Sequence, residues 1–238
     1  MLQVSKVRKS HNAEIISVFV YHAPFSFEEF DTEASPSSGI GLETTILFIR
    51  EGANVLMADI SAPALATALE KVHKIMPPSA STKLETITCD VSSESSVAAM
   101  VAHVGSWGGV DILFNNAGIM HTADADAIDT PEKIWDLTHN INVKGVWYGC
   151  KHGVMSIRKH GKKKGSVINT ASVVALVGSA TPQLAYTASK GAVLALTREL
   201  AVVHAREGIR FNALCPAPLK WAFSFFARDL GFRWLTLL

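Results

Sequence analysis

From residue 39 onward, short contiguous apolar runs rich in β-branched residues alternate with longer stretches whose apolar positions recur every three or four residues. Residues 53–59 (ANVLMAD), 84–90 (LETITCD), 110–116 (VDILFNN), 165–171 (GSVINTA) and 208–214 (GIRFNAL) have the length and composition of strands buried on both faces. Between them, SAPALATALEKVHKI (61–75) and SSESSVAAMVAHVGSW (92–107) carry helical periodicity. Thr130, Pro131 and Glu132 announce a further helix, with Thr130 as its cap and Pro131 in its first turn. That helix is expected to break near Asn140 and resume to about Arg158, and a last one to run from about Ala185 to Glu207, where Gly208 stops it. Strand and helix in strict alternation predict an α/β fold: a Rossmann-like, doubly wound parallel sheet in a single domain.

The two ends fall outside this rhythm. Residues 1–38 and 217–238 read as atypical terminal segments around a core of residues 39–216. In a doubly wound sheet of the order 3-2-1-4-5-6 the first strand is central, and its absence would strip ladder partners from both neighbours, at about 1–3 kcal/mol for each buried group left unsatisfied. IISVFVY (Ile15 to Tyr21) is the only β-branched run at this end that could fill the slot, leaving residues 22–38 as a long loop. Lys6, Arg8 and Lys9 before that run echo a secretory leader, but Glu14 abuts it and the strand reading is preferred. An altered reading frame or a splice junction is the simplest source of such an end.

Charge and composition narrow the function classes. With 238 residues and 48% hydrophobic content the chain can bury a core as one domain. A net charge of +1 gives no electrostatic footprint for nucleic acid or an anionic membrane, and no apolar run approaches the length of a membrane helix. Cys89, Cys150 and Cys215 are odd in number and far apart, which fits reduced thiols in the cytoplasm. The nine histidines show no metal-ligand spacing.

Three places carry candidate chemistry. Gly39, Ile40 and Gly41 open the helical stretch LETTILFIREG, where free backbone N–H groups and the helix dipole favour a phosphate, although glycines before a helix also serve plain turns. Asp59 ends a strand 18 residues after Gly41; a carboxylate there can accept hydrogen bonds from a ribose and repel a 2′-phosphate, or simply start the next helix. Tyr186 and Lys190 stand four apart in YTASK, on one face of a helix. An ammonium there favours the phenolate and fits the phenol for proton exchange, while an amphipathic surface pair would look the same.

The order and spacing of NNAG (Asn115 to Gly118), NVKG (Asn142 to Gly145), NTAS (Asn169 to Ser172) and YTASK resemble the short-chain dehydrogenase/reductase family over residues 39–216. The resemblance implies a four-member catalytic set. Tyr186 would be the general acid/base; Lys190 would lower its pKa and hold the nicotinamide ribose. Ser172 would bind the substrate oxygen, and Asn142 would hold a helix break and a water linking Lys190 to solvent. It also places Asp90 and Val91 against adenine, and Asn115, Ala117 and Gly118 around the cofactor cleft. With Asp59, the implied cofactor is NAD, the substrate a small secondary alcohol or ketone, and the assembly a homo-oligomer.

Two departures bear on activity. Ala34, Ser35 and Pro36 stand where the family's loop has Thr-Gly-x, and PAPLKW replaces Pro-Gly-x-x-x-Thr, with Ala217 for Gly and Trp221 for Thr. The family's last strand is expected to be missing. A catalytically impaired member acting as a binding partner is therefore the alternative to an active enzyme.

Overall fold

The computed structural model describes residues 14–18, 39–76 and 82–217. In chain order these form β1 (Glu14–Val18), α1 (Ile40–Arg50), β2 (Asn54–Asp59), α2 (Ala62–Ile75), β3 (Leu84–Thr88), α3 (Glu94–His103), β4 (Ile112–Asn115), α4 (Glu132–His139), α5 (Gly145–Lys159), β5 (Gly165–Thr170), α6 (Leu184–His204) and β6 (Ile209–Leu214). The strands make one parallel sheet in the order β3-β2-β1-β4-β5-β6.

The predicted replacement strand occupies the centre of that sheet. Ile16 is in register with Leu56 of β2 on one side and Leu113 of β4 on the other, so the ladder groups of both neighbours are satisfied. The strand ends at Val18; residues 19–21 of the expected run and the expected loop 22–38 lie outside the described residues. So does the chain beyond Ala217, where the family's last strand would fall.

All six residues of β2 are buried, as a contiguous apolar run in a double-covered sheet requires. Their side chains alternate between two cores. Val55 and Met57 pack with Ile49 and Leu65, the faces of α1 and α2. Leu56 and Ala58 join the larger core with Met100, Val154, Ile157 and Val193, from α3, α5 and α6. Helices thus cover both faces, and α5 lies close to the sheet along a stripe of glycines: a Cβ at Gly145, Gly149 or Gly153 would collide with Val91, Asn115 or Leu113.

One expected boundary is corrected. Pro131, with φ −66° and ψ 139°, is extended and occupies the N-cap of α4 itself, where it offers no side-chain bond. Thr130 does not cap; its hydroxyl donates to the Asp126 carbonyl (2.7 Å) and accepts from the Ala125 N–H (3.0 Å). The break near Asn140 is present as a single π-helical turn, Asn140–Lys144, between α4 and α5. Gly208, at φ 73°, takes the left-handed conformation that ends the last helical segment.

Candidate active site

The carboxyl ends of parallel strands are where a doubly wound sheet opens a crevice. Here β4 runs into Asn115–Ile119, β5 into Ala171 and Ser172, and α6 begins two residues before Tyr186. Side chains from the π turn, the end of β5 and α6 meet around this opening.

Asn142 sits in the π turn, fully buried, and every bond of its amide goes to protein. Oδ1 accepts from the Ile119 N–H (2.8 Å), while Nδ2 donates to the Ile119 carbonyl (2.9 Å) and to Ser189 Oγ (3.0 Å). The extra residue of the π turn is what carries this side chain inward to the end of β4. Ser189 Oγ in turn donates to the Tyr186 carbonyl (2.7 Å).

Lys190 is 3% exposed, and Nζ donates to the Thr170 carbonyl at 2.8 Å. Burial brings its ammonium down to about 8. Nζ lies 5.6 Å from the Tyr186 ring centroid, as the four-residue spacing on one helical face predicts. Gly118 adjoins it: a Cβ there would come within 3.1 Å of Lys190 Nζ and 3.3 Å of Asn142 Oδ1. The backbone at Gly118 thus comes close to the ammonium, and a side chain there would crowd both Lys190 and Asn142.

Ser172 is buried and ends the segment after β5; its Oγ accepts from the Val174 N–H (3.4 Å), capping the short turn Val173–Ala175. It lies two residues beyond Thr170, to which Lys190 is bonded. Its hydroxyl proton is left for another acceptor.

On the other half of the crevice, α1 opens at Gly39 and Ile40, with Gly41 buried in its first turn. Gly39 has φ 165°, an extended conformation open to any residue, so its chain conformation does not require glycine; a Cβ there would meet nothing within 4 Å among the described residues. Asp59, 6% exposed, ends β2 and accepts the Ser61 N–H on Oδ1 (2.8 Å). Ser61, not Asp59, caps α2 through the Ala64 N–H. Asp90 Oδ1 accepts from the Ser92 N–H (2.9 Å) and Oγ (2.7 Å), and Val91 is buried against Gly145.

Asn115 and Ala117 are both buried at the end of β4. Asn115 faces the core: Nδ2 donates to Asn169 Oδ1 (2.8 Å), and Asn169 Nδ2 to Thr197 Oγ1 (3.0 Å). This polar chain straps β4, β5 and α6 together beneath the opening. Sequence spacing did not single out Ser189, Thr170, Thr197 or Asp124, whose carboxylate holds the first turn of α6 through the Ala185 and Tyr186 N–H groups. Two of them lie inside quoted motifs without a role of their own: Thr170 in NTAS and Ser189 in YTASK. Among the described residues there is no cluster of groups suited to a metal ion, and no helix long and apolar enough to cross a membrane.

A family model described as enoyl-(acyl carrier protein) reductase matches residues 34–228, most of the chain. The 2-(R)-hydroxypropyl-CoM dehydrogenase of Xanthobacter autotrophicus is 38% identical over 77% of this chain and 72% of its own length. The 3beta-hydroxysteroid dehydrogenase 2 of Eggerthella lenta is 36% identical over 76% of this chain and 66% of its own. Among solved structures, NAD+-bound xylitol dehydrogenase superposes with a TM-score of 0.72 at 29% identity, covering 88% of this chain and 72% of that one. Each match thus spans between about two thirds and three quarters of the relative. A matching family model, these relatives and the shared sheet together establish that the chain belongs to the short-chain dehydrogenase/reductase family of NAD(P)-dependent oxidoreductases.

Proposed function

We propose that the chain interconverts a secondary alcohol and a ketone with NAD as its cofactor. The observation that carries this reading is the buried Lys190 ammonium, held by the Thr170 carbonyl beside the Tyr186 ring and the backbone of Gly118. When bound, NAD supplies the hydride acceptor. Lys190 would hold the nicotinamide ribose and favour the Tyr186 phenolate electrostatically, so that the phenol could exchange a proton with the substrate oxygen. Ser172 donates its free hydroxyl proton to that oxygen and stabilises its developing charge. Asn142 keeps the π turn, the end of β4 and Ser189 in register around Lys190.

The pyrophosphate is assigned to the N-terminus of α1 at Gly39–Gly41 and the adenosine ribose to the Asp59 carboxylate at the end of β2. A carboxylate at that place supports NAD over NADP. Asp90, Val91, Asn115, Ala117 and Gly118 complete the cleft. The substrate side supports an uncharged, largely apolar alcohol: Met120, Leu176, Val177 and Leu184 are 39–64% exposed around the opening, and no charged residue lies between Ser172 and Ser189. A homo-oligomer is supported by the outer groove of α5 and α6, lined by Trp147, Met155, Leu200 and His204.

Calorimetric titration with NAD and NADP, followed by turnover on apolar secondary alcohols, tests the reading. NAD is expected to bind at least about tenfold more tightly than NADP, a difference of about 1.4 kcal/mol. Absence of NAD binding at millimolar concentration would defeat it. Binding without turnover would favour the impaired member suggested by Ala34, Ser35 and Pro36. Light scattering reports the oligomeric state, and Trp147→Glu is expected to shift it toward monomer.

A further inference from the structure

Tyr186 is gripped at both of its backbone polar groups by side chains. Its carbonyl accepts from Ser189 Oγ, as described above. Its N–H donates to Asp124 Oδ2 (2.8 Å), and the preceding Ala185 N–H donates to Asp124 Oδ1 (2.9 Å). The N-cap residue of α6, Gln183, contributes no side-chain bond, so Asp124 supplies the cap from a loop 61 residues upstream. The carboxylate is 7% exposed, and its negative charge meets the positive end of the α6 dipole.

The loop carrying Asp124 is itself braced. The Leu184 N–H donates to the Ala125 carbonyl (3.0 Å), the Asp124 N–H to the His121 carbonyl (3.0 Å), and Thr130 Oγ1 ties Ala125 to Asp126. Five residues before Asp124, Ile119 is bonded through both its N–H and its carbonyl to Asn142. A single path of bonded groups therefore runs from the end of β4 to the first turn of α6.

We infer that Asp124 is a positioning residue: by seating the Ala185 and Tyr186 N–H groups it fixes where the Tyr186 phenol stands relative to Lys190 and Ser172. This rests on the oxidoreductase reading above. Asp124 touches neither phenol nor substrate, and it acts through the backbone of the residue that does.

Asp124→Asn, Asp124→Ala and Asp124→Glu test the inference. Asparagine keeps one acceptor oxygen but sets an NH₂ group against the second N–H. In that variant kcat is expected to fall about 10- to 100-fold, as for a misplacement on the order of 1 Å. The KM for the alcohol should stay within about threefold, with one NAD still bound per chain, because Lys190 keeps its own anchor on Thr170. Asp124→Glu should recover activity relative to Asp124→Ala. A kcat within threefold of wild type in Asp124→Asn, or a loss that merely follows the loss of NAD-binding chains, would overturn the inference.

Amide hydrogen exchange gives a readout free of turnover. Exchange at Ala185 and Tyr186 is expected to accelerate at least about tenfold in Asp124→Asn, with residues 193–197 unchanged, as for a local opening. A wild-type chain that turns over no alcohol defeats the oxidoreductase reading. Unchanged exchange in the variant defeats the clamp, whatever the turnover.

Discussion

Replacing Lys190 by methionine keeps the length of the side chain and removes a buried charge, and the structure gives the size and the pH course of the effect. In the folded chain burial holds this ammonium at about 8, against an ordinary value of 10.5. At about 1.4 kcal/mol for each factor of ten, the difference is about 3 kcal/mol of destabilisation in the charged form. Above pH 10.5 the amine is neutral in both folded and unfolded chains, and nothing is lost. As pH falls from 10.5 to 8 the unfolded chain takes up the proton first, so stability declines; below 8 both states carry it and the full cost remains. Methionine escapes this cost but forfeits the hydrogen bond to Thr170, worth about 1.5–3 kcal/mol for a charged donor.

The net change at pH 7 is therefore small, and the informative quantity is its slope. The stability of Lys190→Met minus that of wild type should shrink by about 3 kcal/mol between pH 8 and 10.5, as other titrations cancel in the difference. Urea unfolding of both proteins at half-unit pH steps measures it. A difference constant to within about 0.5 kcal/mol, the size of an ordinary surface effect, would refute the claim that burial dominates at this residue. The variant is also expected to lose turnover throughout.

Tyr186→Phe should lower kcat by about 10²- to 10⁴-fold, the usual span of general acid/base catalysis, with NAD affinity unchanged by calorimetry; normal turnover would contradict the assigned role. Gly149→Ala drives a Cβ into Asn115 and disrupts its bond to Asn169. Overpacking at about 1–3 kcal/mol and an orphaned buried amide at about 1–3 kcal/mol should lower Tm by roughly 5–20 °C, whereas a shift under about 2 °C would argue against the close approach of α5. Ser17→Pro removes a backbone donor from a strand paired on both sides, and cooperative unfolding by circular dichroism should be severely weakened or lost. A fold of wild-type stability would place β1 elsewhere.

β2 was legible because a strand covered on both faces has little room for polar side chains, and it is buried at every position; β3 and β6, at the sheet edges, expose Glu85, Arg210 and Asn212 and were legible from length and β-branched content instead. The π turn was foreshadowed by the break expected at Asn140. The central strand was legible by elimination: the rest of the sheet requires it, and Ile15–Tyr21 was the run available. What spacing along the chain cannot show is a bond between residues far apart in sequence. Asp124 looks like one of several acids in HTADADAIDT, and only the fold brings it to Ala185 and Tyr186. Thr130 was misread because a proline's φ suits a first turn whatever its ψ, and ψ here is extended.

Two buried polar chains brace the half of the opening that holds Tyr186 and Lys190. One runs from Asn115 through Asn169 to Thr197; the other from Ile119 through Asn142 to Ser189 and the Tyr186 carbonyl. Both end on α6, at positions eight residues apart, or about two turns. A helix tied at two such points to the ends of two strands is fixed in rotation as well as along its axis. Lys190, directly after Ser189, is then directed to the Thr170 carbonyl, and its ammonium is almost wholly withdrawn from water. The low dielectric that makes these polar chains effective is the same one that depresses Lys190, and it magnifies the response of the ammonium to any negative charge beside it. Burial destabilises Lys190 in the resting chain and, by the same physics, makes it an effective partner for a phenolate at Tyr186.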